Sequence, residues 1–213
     1  TIGVGKFFEK WYGMETDSVV WGAVDPKINK GRAFGYKGQA LGMGKQIVFL
    51  GRLEKVNGIE ILIEALDRKD GPLLLQRTVL YRYTFVGEGS YRKQAEKFGK
   101  VTGMVKDPQK YLVDADVVIT SSYMSMLEAA AIGKPIIAIR DNQLKGDYLN
   151  CHPLRKYIVI CKNSRELARR IASLQFRKDA IRSARDWALR QTPEKLASEY
   201  EKLWSFVNKS LRS

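Results

Sequence analysis

Short apolar runs alternate with longer amphipathic segments from Gln46 onward, and this alternation limits the folds open to the chain. A short run rich in Val and Ile is typical of a strand buried on both faces, and an amphipathic segment is typical of a helix that covers such a strand. Strands separated by helices pair in parallel. The sequence therefore predicts an α/β fold, a doubly wound and mostly parallel sheet with helices on both faces.

The alternation also places the individual elements. We predict six strands, at residues 47–50, 84–86, 100–105, 117–120, 135–139 and 157–161. We predict helices between and after them, at residues 58–68, 91–98, 108–113, 125–132 and 164–174, and a helical tail over 176–211. We expect three parts: the tail of a preceding domain plus a linker at 1–44, a Rossmann-like domain at 45–190, and a C-terminal helix at 191–213 that packs back across the domain gap.

Bulk composition narrows the protein class. The chain has 213 residues, of which 45% are hydrophobic, enough to bury a core. No apolar run approaches the roughly 18 residues that a membrane span requires. The first residues of the sequence also lack the apolar segment of a secretory signal. Two cysteines and one histidine cannot by themselves form a four-ligand zinc site. We expect a cytoplasmic protein with no metal and no cofactor.

The net charge of +14 points to an anionic partner. Nucleic acid, an anionic membrane face and phosphorylated substrates would all fit. The sequence has no RNP motif and no paired Cys/His reader, so we expect no nucleic acid partner. A basic surface that handles phosphates is the preferred interpretation. Peripheral contact with the inner membrane face or with a lipid-phosphate acceptor stays an open alternative.

Residues 116–139 read as strand, polar loop, helix and strand in immediate succession. Ser121 and Ser122 lead into the helix, whose first N–H groups have no helical partner and suit a phosphate. Glu128 follows in the first turns, where a carboxylate can accept two sugar hydroxyls. A nucleotide would satisfy both features. The alternative is a solvated Glu128 and an ordinary loop.

A second site segment follows the first predicted strand. Arg52 leaves the carboxyl end of that strand, and Lys55 follows in a short loop before a helix. In an open parallel sheet this edge holds the ligand crevice, where Arg can bind phosphate with two hydrogen bonds. Both cations could instead be solvated. The segment Gly87-Glu88-Gly89 is either a simple turn or a loop that faces the ligand.

Six segments of the chain, taken in order, resemble the C-terminal half of a GT-B glycosyltransferase, most closely glycosyltransferase family 4, the group 1 enzymes. They are V-V-W-G-A-V-D at 19–25, G-R-L-E-K-V-N-G at 51–58, F-V-G-E-G at 85–89, V-T-G-M-V at 101–105, A-D-V-V-I-T-S-S at 115–122 and L-E-A-A-A-I-G-K-P at 127–135. Two positions depart from the family pattern. Asn57 stands where the family has a lysine, and Thr120 stands where it has the first of two glutamates.

The resemblance implies roles for individual residues. Arg52 and Lys55 would be the catalytic groups that stabilise the leaving diphosphate, and Glu128 would bind the ribose. Main chain at 103–105 would bind the base, and the N–H groups of Ser125 and Met126 at the helix start would form the phosphate cradle. The implied donor-binding residues are Gly51, Gly87, Gly103, Met104, Val105, Ser122, Ser125, Met126 and Glu128.

The implied activity is transfer of a sugar, with retention of configuration, from a nucleotide-diphosphate sugar to an acceptor that the sequence does not identify. The chain would be mainly the donor-binding half, inactive alone, with the acceptor site on a missing N-terminal domain. Two alternatives stay open: a nucleotide-sugar epimerase, which shares the architecture, and a nucleotide-sugar-binding module without catalysis.

Overall fold

The computed structural model describes residues 2–16, 18–25, 28, 44–68 and 81–210. Its centre is a six-stranded sheet in which every pair is parallel, with the strand order β3-β2-β1-β4-β5-β6. This confirms the predicted fold class. The strands are β1 Lys45–Leu50, β2 Tyr81–Val86, β3 Gly99–Val101, β4 Val117–Ile119, β5 Ile136–Ile139 and β6 Val159–Cys161.

Helices surround the sheet. They are α1 Ile2–Tyr12, α2 Ile59–Asp67, α3 Arg92–Glu96, α4 Gln109–Asp114, α5 Tyr123–Ala131, α6 Gln143–Cys151, α7 Ser164–Ala172, α8 Lys178–Leu189 and α9 Pro193–Ser210, with 3-10 turns at Lys55–Asn57 and Pro153–Lys156. Three differences from the sequence prediction stand out. Helix α6 was not predicted, the predicted tail is two helices, and α5 begins two residues earlier than expected.

The core consists of two apolar layers, one on each face of the sheet. Along β1, Ile47 and Phe49 belong to one layer, and Val48 and Leu50 belong to the other. Helices α2 and α7 pack together over the first layer, and α5 and α8 pack over the second. Side chains alternate along β1 and an apolar layer covers each face, so both faces are buried, which explains the unbroken apolar run at residues 47–50.

Strand β3 ends four residues before its predicted end. Gly103 has φ 70°, a left-handed conformation that interrupts an extended strand. The Thr102 N–H donates to the Phe85 carbonyl at 3.0 Å, and Gly103 forms an isolated antiparallel bridge with Gly87. The segment that the sequence favoured as strand therefore becomes a loop attached to the end of β2.

The segment before the sheet is attached to the domain. The Val24 N–H donates to the Gln191 carbonyl at 2.8 Å, and the Trp21 ring stacks on Tyr123 with centroids 5.8 Å apart. Most of the predicted linker, residues 26–27 and 29–43, lies outside the described residues. Whether the division at 44 and 190 separates domains stays a prediction.

Helix α9 exposes three aromatic side chains, Tyr200, Trp204 and Phe206, and the first two are in ring contact. The prediction that this helix packs across a domain gap stays open. Within the described part of the chain, no helix is both long and apolar enough to cross a bilayer.

Candidate functional site

The carboxyl ends of the parallel strands meet along one edge of the sheet. Strand β1 lies between β2 and β4, so the connections that leave β1 and β4 run to opposite sides and open a crevice between them. The loops that begin at Gly51, Gly87, Thr120 and Arg140 border this edge. The two segments predicted to bind a nucleotide are therefore brought together.

The loops after β1 and β2 are packed backbone against backbone. The Gly51 N–H donates to the Val86 carbonyl at 3.1 Å. A Cβ atom on Gly87 would lie 2.0 Å from the Gly51 carbonyl oxygen, and Gly87 has φ 147°. This close approach requires glycine whether or not a ligand binds. The donor-binding roles of Gly51 and Gly87 stay predictions.

Asn57 has a structural task in the loop after β1. Its Nδ2 atom donates to the carbonyl oxygen of Arg52 at 2.9 Å and so closes the loop that presents Arg52. The Arg52 side chain is exposed at the crevice. The residue at the family's lysine position thus shapes the loop while Arg52 stays accessible to an anion.

Lys55 is exposed and paired. Its ammonium lies 2.9 Å from a Glu60 carboxylate oxygen, and Glu60 also accepts a hydrogen bond from the Tyr91 hydroxyl at 2.9 Å. Glu60 raises the pKa of Lys55, and Lys55 and Tyr91 together lower the pKa of Glu60. To bind a diphosphate, the Lys55 ammonium must break its ion pair with Glu60 or contact both anions at once. Its catalytic role stays a prediction.

The start of α5 differs in register from the prediction. Ser122 is the N-cap, and its hydroxyl donates to the Ser125 hydroxyl at 2.8 Å. The Met126 N–H already donates to the Ser122 carbonyl at 3.0 Å. An anion would therefore bind to the free N–H groups of the first helical turn, and the Ser125 N–H is the last of these. The Met126 N–H is not among them.

Ser121 joins the ends of β4 and β5. Its hydroxyl donates to the Ile139 carbonyl and accepts from the Ile139 N–H, both at 2.8 Å, and the side chain is buried. The serine pair that sequence analysis treated as one loop therefore has two tasks. Ser121 fixes the strand ends, and Ser122 begins the helix.

Glu128 lies in the second turn of α5 and is half-buried. Burial raises the pKa of its carboxyl group, and the charge of Asp107 raises it further. A carboxylate held in this way gains from hydroxyl donors, which favour its charged form. Because Asp107 belongs to the loop after β3, Glu128 and that loop border the same part of the crevice.

The loop after β3 is the segment predicted to bind the base. Gly103 is buried beside Glu88 and Arg92, which form a salt bridge with each other. Met104 is 89% exposed, and Val105 packs against the core. Contact between this main chain and a nucleobase stays a prediction.

Lys145 is a site residue that sequence analysis missed. It lies in α6, half-buried, with its ammonium 3.4 Å from the Ser121 carbonyl oxygen and 5.2 Å from the centre of the Tyr148 ring. Burial lowers the pKa of this ammonium, and the charge of Asp141 opposes the shift. The available sequence signal was Asn142, which caps α6 by accepting the Lys145 N–H at 2.8 Å.

The D-x-D triplet at Asp114 and Asp116 lies away from this site. The Gln46 N–H donates to the Asp116 carboxylate, and the Asp116 N–H donates to the Gln46 carbonyl, both at 2.8 Å. These bonds join the starts of β1 and β4 at the opposite edge of the sheet. The described residues contain no group of three or more His, Cys, Asp or Glu side chains placed to hold a metal ion.

Comparison with known proteins adds to this geometry. The family described as "Glycosyl transferases group 1" matches residues 44–175. A search of curated protein sequences found no significant match.

Solved structures share the fold at low identity. Anabaena Alr3699/HepE in complex with UDP and glucose is 16% identical, with TM-score 0.62, over 88% of this chain and 56% of that chain. A mutant of S. aureus TarM in complex with fondaparinux, alpha-GlcNAc-glycerol and UDP is 18% identical, with TM-score 0.66, over 95% and 42%. A glycosyltransferase from Rickettsia africae ESF-5 is 13% identical, with TM-score 0.66, over 98% and 62%. The chain thus spans about half the length of these proteins.

Proposed function

Because the chain belongs to the group 1 glycosyltransferase family, we propose that it is the donor-binding half of an enzyme that transfers a sugar from a nucleotide-diphosphate sugar to an acceptor. The observation that carries this proposal is the meeting of three features at one crevice. They are the exposed Arg52 after β1, the start of α5 after β4, and the half-buried Glu128. The presence of UDP in the HepE and TarM structures supports a nucleotide ligand.

The chemistry follows from where charge develops. Transfer breaks the bond between the anomeric carbon of the sugar and a phosphate oxygen, and the leaving diphosphate gains negative charge. Arg52, the N–H groups at the start of α5, and Lys55 once released from Glu60 would stabilise that charge. Each well-placed donor of this kind contributes about 3 kcal/mol to lowering the barrier. Membership of the group favours retention of anomeric configuration.

The acceptor site belongs to the part of the enzyme outside this chain. The charge of +14 favours an acidic acceptor surface, and we include peripheral contact with anionic lipid or a lipid-phosphate acceptor in the proposal. Binding to anionic vesicles should then weaken as salt rises. Equal binding to neutral and anionic vesicles would contradict this part.

A non-catalytic nucleotide-sugar-binding module is the second candidate, and one observation favours it. Asn57 occupies the position of the family's lysine and is engaged with the Arg52 carbonyl, while Lys55 is engaged with Glu60. Transfer by the enzyme complete with its acceptor domain would exclude this candidate. We expect the 213-residue chain alone to bind donor but not to transfer sugar.

Calorimetric titration with UDP, GDP, ADP and their sugar conjugates tests the main proposal. We expect one base to bind, and we expect Arg52→Ala and Glu128→Ala each to weaken that binding at least tenfold. Arg82→Ala is the matched control, because Arg82 is an exposed arginine near the start of β2, away from the crevice. Binding that both site variants leave unchanged, or loss of binding in the control, would overturn the assignment of the crevice.

A further inference from the structure

We propose that Lys145 is a third cation of the donor site and contacts the diphosphate of the bound nucleotide sugar. The inference rests on the proposed function and extends it by a residue from α6, a helix that follows β5 instead of β1 or β4. Its basis is the position of the ammonium group, its surroundings and the contrast with the other lysines of the domain.

The position of the ammonium is fixed by two contacts. It lies 3.4 Å from the Ser121 carbonyl oxygen and 5.2 Å from the centre of the Tyr148 ring. Ser121 immediately precedes the N-cap of α5, and both of its hydroxyl hydrogen bonds tie it to Ile139. The backbone that Lys145 approaches is therefore rigid, and the ammonium lies beside the helix start that we assign to phosphate.

Two helix ends make the surroundings of Lys145 unfavourable for a cation, and only the nearby charge of Asp141 offsets them in part. The positive ends of the α5 and α6 dipoles both point to this edge, because the two helices follow the neighbouring strands β4 and β5. Neither helix has an acidic residue in its first turn. Lys145 is the third residue of α6, so its charge adds to two positive helix ends. A diphosphate would neutralise all three.

Other lysines show what is unusual about Lys145. Lys10 and Lys55 each have a carboxylate oxygen within 3 Å. Buried Lys134 donates to the Val113 carbonyl at 2.7 Å, a close bond to a helix end. Among the described residues, Lys145 has no carboxylate within 4 Å; its contacts are the longer one to Ser121 and the Tyr148 ring, with Asp141 acting from farther away. A half-buried cation with so little compensation is costly to the fold, which is typical of binding sites.

Lys156 offers a matched control. Its ammonium lies 5.1 Å from the Tyr157 ring centre, almost the same stacking distance as for Lys145, but Lys156 is exposed and lies in the 3-10 turn after α6. The Lys156→Met variant therefore removes the same charge and a similar stacking contact from outside the crevice.

The test measures binding of the 213-residue chain and its variants to four probes: the nucleoside diphosphate that binds best, its monophosphate, its nucleoside and inorganic pyrophosphate. We expect Lys145→Met to weaken diphosphate and pyrophosphate binding about tenfold to a hundredfold and to leave nucleoside binding unchanged. Lys145→Arg should restore most of the loss. Lys156→Met should bind every probe as the parent chain does.

Thermal unfolding without ligand separates binding from a structural role. We expect Lys145→Met to melt at the same temperature as the parent chain or higher, because the substitution removes a poorly compensated charge. A lower melting temperature with equal losses for nucleoside and diphosphate would show a structural role and overturn the inference. Unchanged diphosphate binding by Lys145→Met would also overturn it while leaving the proposed function standing.

The two proposals can fail separately. Pyrophosphate binding that depends on Lys145, with no nucleotide binding at all, would support the anion site and contradict the proposed function. Binding of neither pyrophosphate nor any nucleotide to the folded chain would contradict both.

Discussion

The two sides of the crevice treat their charged groups in opposite ways. On the β1–β2 side, formed by the loops 51–58 and 87–91, Lys55 pairs with Glu60 and Glu54 accepts two hydrogen bonds from Ser90. On the β4–β5 side, formed by the loops and helix starts at 120–125 and 140–145, Lys145 has no such carboxylate partner among the described residues.

The pKa shifts follow this division. Glu60 raises the pKa of Lys55, so its charged form is favoured, whereas burial lowers the pKa of Lys145. Burial likewise raises the pKa of Glu128, which disfavours its charge. Apart from the exposed Arg52, the charged groups of the β1–β2 side named here are therefore paired within the fold, whereas Lys145 and Glu128 carry charges that a ligand would stabilise. This comparison predicts which substitutions damage the fold and which damage binding.

The largest effect is expected from Gly87→Ala on the β1–β2 side. A new Cβ would lie 2.0 Å from the Gly51 carbonyl oxygen at a φ of 147°, so both loops must move. We expect the free energy of unfolding, measured by urea denaturation, to fall by at least about 3 kcal/mol. In the control Gly103→Ala, the nearest atoms are side-chain ends, and the loss should be about 1 kcal/mol from the left-handed backbone alone. Equal losses would contradict backbone packing as the cause.

A smaller loss is expected from Ser121→Ala at the junction of β4 and β5. The substitution leaves the N–H and carbonyl groups of Ile139 without their buried partner. We therefore expect the free energy of unfolding to fall by about 2 to 3 kcal/mol. Ser122→Ala is the control, because Ser122 is half-buried and its hydroxyl bonds only to Ser125, so its loss should stay below about 1 kcal/mol. The reverse order in chemical denaturation would show that Ser121 does not fix the strand ends.

The fold should also have a pH dependence through His152, which follows α6 and packs against Tyr123 at the start of α5. This side chain is buried against Trp21, Tyr123 and Trp187, its Nδ1 atom accepts the Leu154 N–H at 3.0 Å, and burial lowers its pKa to about 4 from 6.5. Protonation therefore favours the unfolded chain. The contribution of His152 is fully present above pH 6.5, declines as pH falls from 6.5, and levels off below about 4.

Between pH 7 and pH 5 this decline amounts to about 2 kcal/mol. It is measured as the difference in the pH dependence of unfolding between the parent chain and His152→Gln, which keeps a polar side chain at this position. A variant whose stability falls with pH as steeply as that of the parent chain would rule out His152 as the source.

The smallest effect is expected where Lys55 meets Glu60. Both side chains are more than 30% exposed and solvent screens their attraction, so Glu60→Gln should leave the free energy of unfolding nearly unchanged. Because it releases Lys55, the variant should bind a nucleoside diphosphate as tightly as the parent chain or more tightly. Glu199→Gln breaks a similar exposed pair with Lys202 on α9 and should leave binding unchanged. Weaker diphosphate binding by Glu60→Gln alone would show that Lys55 does not act in the crevice.

The sheet could be predicted from sequence because its central strands are buried on both faces. Residues 47–50 of β1 and all four residues of β5 read as unbroken apolar runs. The end of β3 could not be predicted from its apolar residues, because the conformation of Gly103 is set by the bridge to Gly87, which belongs to another strand.

Helix α6 was missed for a different reason. Its sequence, Q-L-K-G-D-Y-L-N-C, contains a central glycine and little apolar periodicity, and its buried residues are only Gly146 and Leu149. The Arg140 side chain packs close to Gly146, and no local sequence pattern predicts this contact. Lys145 was missed with the helix that carries it.

The partners of the predicted site residues were also beyond sequence reasoning. Lys55 and Glu60 are close in sequence, so their ion pair could be predicted. Tyr91, which also donates to Glu60, belongs to the connection between β2 and α3, and its contact could not be predicted. The prediction about the Met126 N–H depended on the first residue of α5, and a shift of two residues places that group inside the helical hydrogen bonds. Element type is a local property, whereas hydrogen-bond partners depend on register.

The position of β1 between β2 and β4 also determines when each neighbour of this strand is synthesised. About 67 residues separate the end of β1 at Leu50 from the start of β4 at Val117. At ribosomal rates of roughly 5 to 20 residues per second, the strand that leads into Arg52 waits about 3 to 13 seconds for its second neighbour to be synthesised. For that interval one border of a strand with four consecutive apolar residues is open to pairing with another chain, so the crevice is complete only after this border has been covered.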